Sequence, residues 1–264
     1  MRPTVSAKED NLPARIPIAL QLYSVREDAA RDLPGVLQQV ARMGYEGVEF
    51  AGYYGHDAPT VKKMCDDVGL PVCGAHLGID TLLGDKLEET VAFQQTLGNK
   101  FLIVPGLPES YRNSREAWLR TADTMNGIAA RLRPLGLRTG YHNHSVEFQP
   151  FEAGGELPWD TFFGNTDTDV VMQFDTGNAL EGGAASLPFL ERYPGRATTV
   201  HIKPHSATNP QALIGEDDIP WSEFFQVCET TGGTEWYIVE YEMPGIPPLE
   251  AVDRCLQSLR TMGK

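Results

Sequence analysis

From residue 17 onward, short runs of apolar and β-branched residues alternate with stretches whose apolar positions recur every three or four residues. The runs at 17–23, 46–50, 72–76, 100–104, 137–142, 170–175, 198–203 and 236–241 predict eight strands. Several, such as Phe-Leu-Ile-Val at 101–104, are apolar without alternation, as expected of parallel strands covered on both faces. Between them, Leu33, Val36, Leu37, Val40 and Met43 share one helical face, as do Trp118, Ala122, Met125, Ala129 and Leu132. Leu249, Val252, Leu256 and Leu259 repeat the pattern near the C-terminus. Gly44, Gly69, Gly98 and Gly136 each follow a helical run, where a left-handed cap favours glycine. Pro59 and Pro220 stand at helix starts, where a missing N–H costs nothing. The helix after the fifth strand, over 158–165, is short.

Eight strand–helix units in about 250 residues is the arithmetic of an α/β fold of the (β/α)8 TIM barrel type. A doubly wound open sheet is the rival, but it would carry a glycine-rich phosphate turn after strand one, and residues 21–26 contain no glycine. The chain therefore reads as a single barrel domain over 16–264, preceded by a flexible arm over 1–15. That arm is polar and mixed in charge, without the apolar centre of a signal peptide.

Composition narrows the partners. Lys and Arg number 22 against 36 Asp and Glu, leaving a formal charge of −14. So acidic a surface repels phosphate backbones and anionic lipid, which excludes nucleic acid and membrane as expected partners. It also weighs against a phosphorylated substrate, for which Arg26 with Lys203 is the one local cationic cluster on offer. Hydrophobic residues at 41% suffice for a core, and no apolar stretch is long enough to span a bilayer. Cys65, Cys73, Cys228 and Cys255 form no C-x-x-C pair, so a reduced, cytoplasmic setting is the expectation.

Active-site groups in such a barrel come from the C-terminal strand ends, and here those ends are rich in ionisable residues. Strand two ends in Glu49, strand three in His76 and strand five in Tyr-His-Asn-His at 141–144. Strand six ends in Asp175 through Asn178, strand seven in His201 and Lys203, strand eight in Glu240 and Glu242. Burying that many ionisable groups around one mouth is costly unless something binds them. Two carboxylates and two histidines on strands five to eight match the ligand set of a borderline divalent metal, manganese, cobalt or zinc. Taken singly, each residue is equally explicable as a hydrogen-bonded plug at the barrel top.

Read together, the segments LQLYSVR (20–26), GYEGVEF (44–50), YHNHSVEF (141–148), FDTGN (174–178), HIK (201–203) and IVEYE (238–242) resemble the xylose isomerase-like barrel superfamily. That group includes sugar phosphate isomerases/epimerases, inosose dehydratases, keto-sugar 3-epimerases and, more remotely, endonuclease IV. By position, the resemblance implies Asp175, His201 and Glu240 as three metal ligands. His142 stands where the family most often has a glutamate, with His144 on the same face of the strand; His142 is taken as the ligand and His144 as a substrate contact, an assignment open to exchange. Pro204 after HIK is a second departure from the family pattern. Manganese is the first metal implied, ahead of cobalt, zinc and magnesium.

The implied reaction is a sugar isomerisation or epimerisation, in which a proton next to a carbonyl is removed through a metal-stabilised enediolate. Dehydration or lysis of a keto-sugar or inosose shares that intermediate, and a non-catalytic sugar-binding barrel is the alternative from another class. Glu240, Glu147 and Lys203 are the candidate catalytic residues, with Glu240 doubling as ligand. Glu49, His76, His144 and Asn178 are the candidate contacts to substrate hydroxyls, and Trp221, Tyr23 and Phe148 candidates for stacking on a sugar face. The acidic loop 215–218 is expected to help cover the mouth. The partner implied is a small sugar or keto-sugar, and because barrels of this family often pair, a homodimer through residues 12–15 and exposed helices.

Overall fold

The apolar runs become strands within two residues of their expected ends, and the periodic stretches become helices. In the computed structural model, which describes residues 15–152 and 154–264, the strands are β1 Ile18–Gln21, β2 Gly47–Phe50, β3 Val72–His76, β4 Phe101–Val104, β5 Arg138–His142, β6 Val171–Asp175, β7 Thr199–Ile202 and β8 Trp236–Val239. All pair in parallel and close on themselves in sequence order, β8 returning to β1. The helices are α1 Arg26–Met43, α2 Ala58–Val68, α3 Lys86–Leu97, α4 Glu109–Arg112, α5 Arg115–Leu132, α6 Pro158–Phe163, α7 Thr176–Glu181, α8 Ser186–Arg192, α9 Trp221–Val227 and α10 Pro248–Thr261.

Local chemistry sets several ends. Gly44, Gly69 and Gly98 close α1, α2 and α3 at φ of +97°, +73° and +70°, a region that costs other residues a clash. Asp57 and Ser114 cap α2 and α5 by accepting from Thr60 N and Ala117 N. α1 is kinked at Asp32, whose carboxylate accepts from Gly35 N and restarts the helix across Pro34.

Alternation along the strands sorts the interior into two compartments. Ile18, Leu20, Leu102, Val104, Met172, Phe174, Tyr237 and Val239 point outward and join the main core with the helices. The intervening Ala19, Cys73 and Ile238, and Phe101, Ile103 and Val171, form two small clusters inside the barrel, both closed by Trp236. Above them, toward the C-terminal end, the inward positions turn polar. The four cysteines are buried and unpaired. Among the described residues no helix is long and apolar enough to cross a membrane. Residues 1–14, which hold most of the expected arm and of the expected contact at 12–15, lie outside the described residues; Arg15 pairs with Glu46 at 2.6 Å.

Candidate functional site

Strands five to eight deliver one side chain each to a common point. His142 ends β5, Asp175 ends β6, His201 lies on β7 opposite Asp175, and Glu240 follows β8. One nitrogen or oxygen from each falls within 4.8 Å of the other three, and all four residues are buried. His201 Nδ1 lies 2.5 Å from Glu240 Oε2 and 3.7 Å from Asp175 Oδ2, and His142 Nε2 lies 4.0 Å from the same Asp175 oxygen. His76, at the end of β3, stacks on the His201 ring at 5.2 Å. His142 and Glu240 line the floor of a cavity of about 800 Å³ that opens at the strand ends, with Asp175 and His201 fully buried behind them.

Neighbouring residues fix these side chains. The Asn143 amide reaches across to β6, accepting from Asp175 N at 2.8 Å and donating to Asp175 O at 3.0 Å. A side chain thus supplies one more rung of ladder beyond the last backbone pairing of His142 with Gln173. Asp175 Oδ1 accepts from Asn178 N at 2.7 Å and caps α7. Its Oδ2, fully buried, has no hydrogen-bond partner, and neither has His142 Nδ1.

The electrostatics follow from burial and from the close approach of Asp175, Glu240, His201 and Lys203. Burial pushes the Asp175 carboxyl up to about 7, with Lys203 opposing and Glu240 reinforcing. Burial would raise Glu240 too, but Lys203 and His201 outweigh it and hold that carboxyl well below its usual range. For His201 burial acts downward, yet Glu49 and Glu240 on either side raise it to about 10, so the ring is an imidazolium clamped between carboxylates. Burial, with His201 and His76 nearby, holds His142 well below 6.5 and neutral. Lys203 stays charged, because Glu240, Asp175 and Glu242 overcome the effect of burial.

Beneath the cluster lies a buried polar layer. Glu49 Oε2 meets His201 Nε2 at 2.6 Å and accepts from Gln21 Nε2 at 2.8 Å, while its Oε1 accepts from Gln173 Nε2 at 2.8 Å. Gln173 Nε2 also donates to Thr199 Oγ1, and Gln173 Oε1 faces His76 Nε2 at 2.7 Å. Burial would raise the Glu49 carboxyl, but His76 and His201 lower it below its ordinary value.

Most of the expected site residues meet here, and the structure moves others. His142 is in the four-donor cluster, whereas His144 is exposed on the cavity wall. His76, Asn178 and Lys203 also line the cavity, Lys203 paired with Glu242 and 3.7 Å from Glu240 Oε1. Glu49, expected to meet substrate, is instead fully buried below the floor, because Gln21, Gln173 and His201 occupy both its oxygens. Glu147, expected as a base, is buried away from the cavity and ties down its own loop: Oε1 accepts from Tyr141 OH at 2.6 Å, Oε2 from His144 N at 2.7 Å.

Of the expected stacking residues only Tyr23 lines the cavity; Phe148 and Trp221 are packed into aromatic clusters. The loop 215–218 lies against α10, with Glu216 3.8 Å from Arg254, and does not line the cavity. Arg26 sits over the Tyr23 ring and 3.8 Å from Glu242, which also holds Lys203, so those two cations form no open anion cradle. Sequence reasoning missed Asn143 and Gln173 as site residues. Gln173 had left a signal, a polar residue two positions before Asp175 in an otherwise apolar run.

A buried carboxylate oxygen without a partner is rare and costly, and Asp175 Oδ2 is aimed into a group of two imidazoles and a second carboxylate. That donor set is the one borderline divalent cations take, so the residues present fit a metal ion.

Comparison with known proteins agrees with the fold. Inosose dehydratase of Erwinia tasmaniensis is 26% identical over 246 residues, covering 78% of this chain and 81% of the relative. A sugar phosphate isomerase/epimerase from Parabacteroides distasonis superposes with a TM-score of 0.81 at 23% identity, over 95% of this chain and 98% of that one. A D-allulose 3-epimerase from Methylomonas sp., solved with D-allulose, superposes with a TM-score of 0.72 at 13% identity, over 94% and 98%. Residues 37–262 match the xylose isomerase-like TIM barrel family, to which this chain therefore belongs.

Proposed function

We propose that this barrel is a divalent-metal-dependent enzyme that isomerises or epimerises a small keto-sugar by moving a proton on the carbon next to its carbonyl. The observation that carries this is the buried His142–Asp175–His201–Glu240 group with its unpartnered Asp175 oxygen, next to the cavity that His142 and Glu240 line. These four residues would hold a divalent ion, which would supply a Lewis acid for the carbonyl oxygen and for the charge that develops there. Two imidazoles in the set favour manganese, cobalt or zinc over magnesium.

The remaining steps fall to the protein. Lys203, charged and largely buried, offers N–H donors to a substrate oxygen on which negative charge grows. Glu240, whose Oε1 faces Lys203 and whose Oε2 faces His201, is placed to hold the transferred proton. Asn178, His76 and His144 line the wall where substrate hydroxyls need partners, and Tyr23 offers an aromatic face at the rim. Glu147 has no part in proton transfer, since both its oxygens are occupied away from the cavity.

A second reading is favoured by the similarity to inosose dehydratase: the same proton removal followed by loss of a β-hydroxyl from a keto-polyol. Elemental analysis of purified wild type against Asp175→Ala and His201→Ala is the first test. One equivalent of metal in the wild type, lost in both variants, with metal-dependent exchange of a substrate C–H for deuterium, is the expected result. Dehydrated product would select the second reading. A wild type that takes up no manganese, cobalt or zinc overturns both and leaves a sugar-binding barrel.

A further inference from the structure

We propose that Glu49 is the positioning residue of the metal centre, holding the Nε2 proton of His201 so that the ring presents Nδ1 to Asp175 and Glu240. This rests on the metal reading above and adds a residue that lies outside the cavity altogether.

Three observations carry it. First, His201 has both nitrogens in use, Nε2 at 2.6 Å from Glu49 Oε2 and Nδ1 facing the two carboxylates of the four-donor group. An ionised carboxylate is an acceptor only, so both nitrogens carry protons while the ring is an imidazolium; Nδ1, among the donors of the four-residue group, is the one whose proton a cation can replace, and Glu49 then keeps the proton on Nε2. Second, the Glu49 carboxylate cannot turn away. Its two oxygens accept from Gln21 and Gln173, and those amides have one workable orientation, since the flipped one would set amide oxygen against carboxylate oxygen. Gln173 Oε1 is thereby left to accept from His76 Nε2, which fixes that ring in the same sense.

Third, the backbone has been shaped around this carboxylate. The register of β2 against β3 slips between Val48 and Glu49, passing over Cys73, so that Glu49 lies opposite Gly74. A Cβ on residue 74 would fall on Glu49 Oε1, closer than any ordinary carbon contact. Gly74 keeps an ordinary backbone φ, so its glycine is explained by the space it leaves and not by a turn.

The test compares wild type, Glu49→Gln and Gly74→Ala, using zinc alone as the probe. Glutamine keeps the size of the side chain but offers one oxygen where three donors converge. Gly74→Ala leaves the carboxylate intact and displaces it. Zinc affinity by competition with a chromophoric chelator is expected to fall about 10- to 100-fold in both variants. In the zinc-loaded wild type with 15N-labelled histidine, His201 should show a slowly exchanging, far-downfield Nε2–H signal, and both variants should shift or lose it. A general loosening of the barrel would lower the melting temperature without moving that signal, and Thr199→Val, which touches Gln173 but neither Glu49 nor His201, should keep both affinity and signal. If one variant fails to fold, the other decides. Zinc held within about threefold of wild type, with the Nε2–H signal unmoved, overturns the role of Glu49. A wild type that binds no zinc overturns the metal reading itself, a different result from the same titration.

Discussion

Replacing Asn143 by alanine removes the amide that completes the ladder between β5 and β6, and leaves Asp175 N–H and C=O without those partners in a fully buried place. Each buried main-chain group left unpaired costs about 1–3 kcal/mol. A water entering the vacated volume would satisfy one of them, so the expected loss is about 2–4 kcal/mol. For a domain of this size that is a fall of about 5–15 °C in melting temperature. Urea and thermal denaturation of chelator-treated wild type and Asn143→Ala measure it directly, with an unchanged urea m-value showing that the folded and unfolded states are otherwise comparable. Asn143→Asp is isosteric and still accepts from Asp175 N–H, but sets an oxygen against the Asp175 carbonyl, so it should be no more stable than alanine. A second arm reads the site: once Asp175 is untied from β5, metal affinity should drop along with stability. Asn143→Ala within about 0.5 kcal/mol of wild type, at unchanged metal affinity, would refute the ladder argument.

Three further outcomes are expected. Glu147→Ala should cost about 2–3 kcal/mol by untying Tyr141 OH and His144 N, yet keep deuterium exchange on an accepted substrate; a stable variant that has lost exchange would return Glu147 to the role of base. Gly177→Ala places a Cβ 2.9 Å from Lys203 Cγ and O and 3.0 Å from Pro204 O, so about 1–3 kcal/mol of stability should go, together with the position of the ammonium; a neutral effect on both melting and turnover would count against it. Metal uptake should release protons, because a cation competes with the proton on His201 up to pH about 10 and, below about pH 7, also with the one on Asp175. Apparent affinity should therefore rise with pH, more steeply below 7 than above, and calorimetry in buffers of different ionisation enthalpy should count the protons; a pH-independent affinity would contradict it.

The strands and the four-donor group were legible because each rests on local chemistry or on simple alternation. Continuous apolar runs mark strands covered on both faces, and Asp175, His201 and Glu240 stand at their ends, where the barrel geometry gathers them. What the sequence did not reveal depends on depth rather than direction. Glu49 and His76 occupy the same stretch of their strands, but Glu49 faces inward below the floor and His76 above it. The register sets Glu49 opposite Gly74, two residues below His76 on β3, a difference in level that leaves no mark in composition. Glu147 reads as a loop carboxylate near a mouth, and only the fold shows Tyr141 hydroxyl within reach of it, six residues away. Arg26 and Lys203 look like an anion cradle until Glu242 appears between them.

The polar layer under the cavity also separates two histories within one barrel. Gln21, Glu49, Gln173 and Thr199 lie beneath His201, each held by its neighbours across different strands. The apolar clusters closed by Trp236 supply none of the residues that line the cavity. Rim residues such as Tyr23, Pro105, His144 and Met243 are then free to drift toward new substrates without renegotiating how the barrel holds itself shut. Four side chains act as a bulkhead, and specificity and durability are free to evolve on opposite sides of it.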